Sequence, residues 1–202
     1  MLAFIESIDI SLFYLINRSG QNDFFDLFMP FISNIKNFYF PMAMFWLLLV
    51  VKKSTKTRVA AISIIVLIGI SEWVSSDLLK PAFDRPRPYH SLSYVHLYDR
   101  MFKTWSITPQ LLETIRGESY SMPSSHATNI FAGAFFLSFF FRKWSPVFYL
   151  IAFMVGYSRV YLGVHFPFDV FVGAIVGTLC SLLVAWPTSQ IIRFFRKRST
   201  LQ

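Results

Sequence analysis

Residues 158–169 read SRVYLGVHFPFD and lie between two long apolar runs. Pro167 suits the first turn of a helix, where its missing N–H is not needed. With Phe166 as the N-cap, Asp169 becomes the third helical residue, and its carboxylate can reach back towards His165. We therefore predict that Asp169 bonds one imidazole nitrogen of His165 and leaves the other free as a nucleophile. The alternative is a plain helix cap beside an interfacial histidine.

The apolar runs on either side of this stretch continue through most of the chain. Hydrophobic residues make up 54% of the 202 residues and charged residues 15%, against about 25% in soluble domains. Segments close to the ~20 residues that a bilayer core requires predict transmembrane helices at 37–51, 58–79, 125–141, 146–163 and 168–192. The predicted fold class is all-α: a polytopic membrane helical bundle with about five to six transmembrane helices, in a single domain over residues 1–202.

The N-terminal region is too polar to cross a membrane. Acidic and apolar residues alternate at helical spacing over residues 4–17, which predicts an interfacial helix. Residues 22–33 predict a second short, partly embedded segment.

Short basic segments between the apolar runs predict the orientation. The net charge is +8, and the clusters suit cytoplasmic membrane anchors rather than a nucleic-acid surface. The positive-inside rule places on the cytoplasmic side Lys52, Lys53, Lys56, Arg58, Arg142, Lys143 and the tail 193–202. The outer loop 81–122 and the turn 164–167 then face the periplasm or the exterior, in a protein of the cytoplasmic (inner) membrane.

A second motif, Pro123-Ser124-Ser125-His126, opens the third predicted span. Ser124 is a natural N-cap, and the free N–H groups of the following turn form a ready anion site. His126, in that first turn, is placed to give a proton to a leaving oxygen. The alternative is an ordinary serine cap with an incidental histidine.

Three cations complete the candidate site. Lys80 ends the second predicted span, where a snorkelling lysine is the ordinary alternative. Arg87 lies in the stiff run Arg85-Pro86-Arg87-Pro88. Arg159 lies within an apolar run, where a guanidinium is costly unless it meets a counter-charge such as phosphate. The sequence shows no carboxylate cluster with metal-ligand spacing, so we expect neither a metal nor a cofactor.

Taken in order, Lys-x6-Arg-Pro, Pro-Ser-x-His and Ser-Arg-x5-His-x3-Asp resemble the three signature motifs of the type-2 phosphatidic acid phosphatase superfamily, over residues 80–169. The resemblance implies a helical bundle and metal-independent phosphate ester hydrolysis. It implies a phosphohistidine on His165 supported by Asp169, with His126 as the general acid. It also implies phosphate-binding groups, at Lys80, Arg87, Ser124 and Arg159. Ser125 stands where glycine is usual, and its backbone N–H remains available as a further phosphate-binding group.

These observations predict a membrane lipid phosphatase acting on a phosphomonoester or a diphosphate, best described as undecaprenyl-diphosphatase-like. The alternatives are phosphatidylglycerophosphatase, phosphatidic acid phosphatase and lipid A 1-phosphatase. Soluble acid phosphatases and vanadium-dependent haloperoxidases share the superfamily, but the predicted spans argue against them. A non-hydrolytic phospholipid-binding or transport protein is the alternative of another class. The expected partners are a phosphorylated lipid and the membrane, and the oligomeric state stays open.

Two further features carry expectations. The loop 89–122 is rich in aromatic residues, which suit a lid at headgroup level, and we expect its histidines His90 and His96 to be solvated rather than to contact substrate. Glu72 lies within the second predicted span, where an ionised carboxylate facing lipid is unfavourable, so it should face the bundle interior. Either it bonds to a neighbouring helix, or it pairs with Arg159.

Overall fold

The structure is a computed structural model that describes residues 2–52, 54–110 and 120–199. Lys53, residues 111–119 of the outer loop and residues 200–202 of the tail lie outside the described residues. The α-helices, in chain order, are α1 Leu2–Tyr14, α2 Asp23–Ser33, α3 Tyr39–Val51, α4 Thr55–Trp73, α5 Lys80–Phe83, α6 Pro88–Ser91, α7 Ser125–Phe140, α8 Ser145–Tyr161 and α9 Pro167–Ser199. Short helical turns of other pitch lie at Leu15–Ser19, Ile35–Phe38, Val74–Leu79 and Arg142–Trp144.

Helices α4, α7 and α9 form the centre of the bundle around a shared apolar cluster that includes Leu67, Phe136 and Cys180. Glycines let α7 and α9 approach closely, as small residues do at helix interfaces in membranes. A Cβ at Gly177 would lie 2.1 Å from the carbonyl oxygen of Thr128. This packing sets the first turns of α7 and α9 side by side.

The outer surface of the bundle is apolar. Large hydrophobic side chains are widely exposed, among them Leu27 at 81%, Phe40 at 77% and Leu183 at 75%. Such a surface suits contact with lipid rather than water. The all-α membrane class is therefore confirmed.

The helix lengths support fewer complete spans than the five predicted ones. Two described stretches, starting at Thr55 and Pro167, are long and apolar enough to cross a membrane. Helix α2 and the segment Ile35–Val51 meet at a bend of 70° and would form a third span if they cross the membrane together. Helices α7 and α8 form where spans were predicted, but they have 16 and 17 residues, fewer than the ~20 of a full span.

Two of the predicted inner segments, around Lys56 and Arg142, meet at one end of the bundle, which we call the basic end. The Lys56 ammonium donates to the carbonyl oxygen of Phe140 at 2.6 Å and lies 5.3 Å from the ring centroid of Phe141. The linker before α4 and the turn after α7 are therefore neighbours. The opposite end, where α5, α7 and α9 begin, carries the three sequence motifs, and we call it the motif end.

The helix predicted at 4–17 forms as α1 with the helical turn that follows it. It packs against the motif end, where Phe13 is fully buried in a cluster with Val95, Val160 and Phe166. The N-terminal region is thus attached to the part of the chain that carries His165.

The part of the outer loop that the structure describes contains regular secondary structure. Within the all-α bundle it forms a small antiparallel hairpin of β1 His96–Asp99 and β2 Thr104–Ile107. Asn17 fixes this hairpin, because its amide donates to the carbonyl oxygens of His96 at 2.7 Å and Tyr161 at 2.8 Å. Its Oδ1 also accepts from the His96 N–H at 2.9 Å.

The expectation that His96 is solvated is wrong. His96 is 7% exposed and stacks on Trp105, with ring centroids 4.1 Å apart. Burial lowers the pKa of His96 below its usual range. The error arose because the hairpin partner that covers the imidazole is not visible in the local sequence.

Candidate active site

The turn between α8 and α9 carries a histidine and a carboxylate in contact. Asp169 is fully buried, and its Oδ2 accepts from the Phe166 N–H at 2.7 Å, as the predicted cap requires. Nδ1 of His165 lies 3.6 Å from the same Oδ2, slightly beyond hydrogen-bond length. Ser121 bridges the gap: its hydroxyl donates to Asp169 Oδ2 in a short bond and lies 3.5 Å from His165 Nδ1.

This arrangement leaves one imidazole nitrogen of His165 available. Among the described residues, the hydrogen bonds of the His165 ring involve Nδ1 and not Nε2. Burial lowers the pKa of His165 to about 4, with Asp169 opposing the shift and the charges of Arg159 and Arg87 adding to it. The imidazole is therefore neutral at pH 7, as attack through Nε2 requires.

The first turn of α7 lies against the first turn of α9. Ser124 is the N-cap residue, as predicted, and its N–H donates to the carbonyl oxygen of Asp169 at 3.0 Å. Its hydroxyl does not cap the helix. It is buried and has no hydrogen-bond partner within the described residues.

The two residues that follow Ser124 in this motif face different neighbours. Ser125 Oγ lies 3.0 Å from Ser76 Oγ, which ties α7 to the turn after α4. His126 is half-buried, and Lys80, Arg159 and His165 lie within electrostatic reach of its imidazole. The structure thus brings the two predicted catalytic histidines to one site.

The three predicted cations converge on the same end. Lys80 begins α5, Arg87 donates to the carbonyl oxygen of Val164 at 3.4 Å, and Arg159 is 4% exposed. The Nε atoms of Arg87 and Arg159 are buried without a hydrogen-bond partner in the described part of the chain. Within the described residues, no carboxylate oxygen lies within 4.0 Å of a side-chain nitrogen of Lys80, Arg87 or Arg159. Such unpaired buried donors fit an anionic ligand.

Several residues of the site were not assigned from the sequence. Ser33 accepts from two guanidiniums, Arg159 at 2.5 Å and Arg100 at 3.1 Å, so Arg100 is a further cation of this region. Arg85 donates to Asp169 Oδ1 at 2.7 Å. The proline-stiffened run around Arg85 was a usable signal, whereas nothing near Ser33 or Arg100 indicated their role.

Glu72 bonds a neighbouring helix and does not pair with Arg159. Its carboxylate accepts from Asn129 of α7 at 2.5 Å and from Ser76 at 2.7 Å. Of the two alternatives, the bond to a neighbouring helix is therefore the one that forms. The expectation that Glu72 faces the bundle interior is wrong, because its side chain is exposed. Arg159, projecting from α8, instead reaches Ser33 of α2.

Comparison with known proteins identifies the class to which this fold and site belong. Residues 59–192 match the PAP2 superfamily, so the chain belongs to that superfamily. It is 30% identical, over 88% of its length and 75% of the relative's, to the lipid A 4'-phosphatase of Bacteroides thetaiotaomicron. It is 31% identical to the undecaprenyl-diphosphatase of Sulfolobus acidocaldarius, over 87% of this chain and 76% of that protein.

A solved structure has the same fold. The transmembrane PAP2 type phosphatidylglycerolphosphate phosphatase from Bacillus subtilis aligns with a TM-score of 0.65 at 23% identity, covering 93% of this chain and 87% of that one. The protein is accordingly an integral membrane lipid phosphatase that hydrolyses phosphate esters.

Proposed function

We propose that the protein hydrolyses its lipid substrate through a covalent phosphohistidine on His165. The observation that carries this proposal is the orientation of the imidazole, whose Nδ1 faces Asp169 and Ser121 while Nε2 has no partner in the described residues. Asp169 then fixes the tautomer and stabilises the positive charge that the ring acquires on attack.

The proposed reaction has two steps. Nε2 of His165 attacks the terminal phosphorus, the bond from that phosphorus to the oxygen carried by the lipid or lipid phosphate breaks, and the His126 imidazolium gives its proton to this leaving oxygen. Water then attacks phosphorus, His126 takes the proton of that water, and the P–N bond breaks to release inorganic phosphate and restore His165. Positioning and charge neutralisation contribute most in phosphoryl transfer, and we assign these to Lys80, Arg87, Ser124, Ser125 and Arg159.

For the substrate we propose a lipid diphosphate of the undecaprenyl type. With Arg100 joining the three predicted cations, four positive side chains of this region have no carboxylate within 4.0 Å among the described residues. That excess of positive charge suits a diphosphate headgroup better than a single phosphate. The undecaprenyl-diphosphatase relative supports this choice. The second candidate is a phosphomonoester of lipid A, which the Bacteroides relative favours.

The site is proposed to face the periplasm or exterior of the inner membrane. The support is the basic end, because short Lys/Arg-rich segments mark the cytoplasmic side. The motif end lies at the opposite end of the bundle.

The test is phosphate release and phosphoenzyme formation by detergent-purified protein with EDTA present, on a panel containing undecaprenyl diphosphate, lipid A, phosphatidylglycerol phosphate and phosphatidic acid. His165→Gln should abolish turnover and the acid-labile phosphoenzyme. His126→Ala should still form phosphoenzyme from a substrate with a good leaving group, because that group needs no proton. The exposed Glu6→Gln is the control and should behave as wild type. Retention of more than a few percent of activity by His165→Gln contradicts the mechanism, and the fastest lipid of the panel decides the substrate.

A further inference from the structure

A carboxylate of the N-terminal helix is linked to the proposed catalytic pair through one arginine. Asp9 of α1 is fully buried, and its Oδ2 accepts from Arg85 at 2.6 Å. The other amino group of Arg85 donates to Asp169 Oδ1 at 2.7 Å. Oδ1 of Asp9 accepts from the Phe168 N–H at 2.9 Å, so Asp9 also holds the first turn of α9 directly.

Arg85 also contacts two residues that lie beside His165 and Asp169. Its guanidinium lies 4.0 Å from the ring centroid of Phe166, the residue next to His165. Its carbonyl oxygen accepts from the Ser121 N–H at 2.8 Å, and Ser121 in turn contacts both Asp169 and His165. Arg85 therefore contacts both Asp169 and Ser121, the two residues whose side chains lie nearest to His165 Nδ1.

The charges indicate why the carboxylate of Asp9 matters. Arg85 and Asp169 alone would form a neutral pair, and the negative charge that faces His165 would be largely cancelled. With Asp9 ionised, the three groups carry one net negative charge, as Asp169 would by itself. Asp9 thus lets the arginine fix the geometry of Asp169 without cancelling its charge.

We propose that Asp9 is a positioning residue of the active site: by holding Arg85, it keeps Asp169 oriented and negatively charged towards His165. The proposal rests on the nucleophilic role of His165 given above. It makes helix α1 part of the catalytic apparatus rather than only an interfacial segment.

The test is the Asp9→Asn variant, assayed for kcat, KM and phosphoenzyme formation together with the thermal unfolding midpoint. Because the phosphate-binding side chains are untouched, KM should stay within about two-fold, while kcat should fall by about 10- to 100-fold, as for other residues that orient a reactive group. Asp26→Asn is the matched control. Asp26 accepts from the Tyr161 hydroxyl at 2.6 Å and links α2 to α8 but does not contact Asp169, so its kcat should be unchanged.

The double variant Asp9→Asn/Arg85→Gln separates charge from structure. Removing both charges returns the negative charge of Asp169 to His165, so kcat should rise above that of Asp9→Asn alone. If Asp9 has a purely structural role, the kcat of the double variant should not exceed that of Asp9→Asn, and that result overturns the proposal. A wild-type kcat in Asp9→Asn, or a loss of kcat in Asp26→Asn equal to that in Asp9→Asn, overturns it as well.

Loss of one partner of a buried ion pair can prevent folding. If Asp9→Asn does not fold, the double variant is compared with Arg85→Gln instead. The kcat of the double variant should be at least that of Arg85→Gln, and a lower value overturns the proposal. Wild-type protein and His165→Gln are assayed in parallel. A missing phosphohistidine in the wild type refutes the proposed mechanism, whereas an intact phosphohistidine with an indifferent Asp9 refutes only the role of Asp9.

Discussion

At the scale of single residues, some buried polar groups of the described chain have hydrogen-bond partners and others do not, and three of the unpaired ones lie at the site. Asp9 is bonded to Arg85, and Glu72 is bonded to Asn129. In contrast, Ser124 Oγ and the Nε atoms of Arg87 and Arg159 are buried and unpaired within the described residues. Each unpaired buried group costs about 1–3 kcal/mol, so three of them beside a histidine indicate selection for a ligand rather than for stability.

The buried environment of His165 gives a prediction about pH. Since the pKa of His165 is lowered to about 4, its imidazole should stay neutral as the pH falls through 6.5 and become protonated only near pH 4. Histidine NMR of the detergent-solubilised protein measures this, with the His165 resonance identified by its absence from His165→Gln. A midpoint near 6.5, the usual value for an exposed histidine, would contradict the buried geometry.

At the scale of elements, the close packing of α7 on α9 decides where the two histidine motifs lie. The Ser124 N–H bonds the Asp169 carbonyl oxygen at 3.0 Å, so the helices must keep their register at the motif end. Glycines make this possible further along, where a Cβ at Gly173 would lie 2.8 Å from the Ser124 carbonyl oxygen. The interface between α7 and α9 therefore affects catalysis because it fixes the distance between the first turns of these two helices.

We expect Gly177→Ala to force these helices apart. The new Cβ would lie 2.1 Å from the carbonyl oxygen of Thr128, and overpacking of this kind costs about 1–3 kcal/mol. The thermal unfolding midpoint should fall and kcat should fall with it. Gly133→Ala in α7 is the control: nothing lies within 4 Å of its Cβ, so it should be neutral or more stable by about 0.5–1 kcal/mol. Equal midpoints for the two variants would show that the interface tolerates separation.

At the scale of the whole molecule, the bundle has two chemically different ends. Lys56 and the segment around Arg142 mark the basic end, while α1 and the hairpin cover the motif end beside His165. A lipid whose headgroup reaches the motif end would keep its chains along the apolar surface of the helices. By the positive-inside rule, this asymmetry predicts that the basic end faces the cytoplasm.

Thiol labelling in intact cells tests this orientation. The single native cysteine, Cys180, is buried, so Cys180→Ala gives a clean background. Met101→Cys, at a residue 85% exposed, should react with a membrane-impermeant reagent, and Ser54→Cys at the exposed start of α4 should react only after the cells are lysed. The opposite pattern would place the site on the cytoplasmic side.

The sequence by itself determined the membrane class and the local part of the site. Apolar runs and basic clusters are properties of neighbouring residues, and the cap that brings Asp169 to the Phe166 N–H spans three positions. Such short-range features follow from composition and helix geometry alone. The convergence of Lys80, His126 and His165 also followed, because helices that alternate in direction bring their ends together.

The tertiary structure decided the choice of partners. Arg85 meets Asp9 and Asp169 across 76 and 84 residues of sequence, and Arg159 meets Ser33 across 126. From the sequence, Glu72 had two possible partners, and the packing of the helices leaves it with one of them. His96 was expected to be solvated, and the packing of the hairpin buries it. The physical reason is that hydropathy and capping depend on adjacent positions, whereas a buried charge bonds to whatever group the packing of distant helices brings within 3 Å.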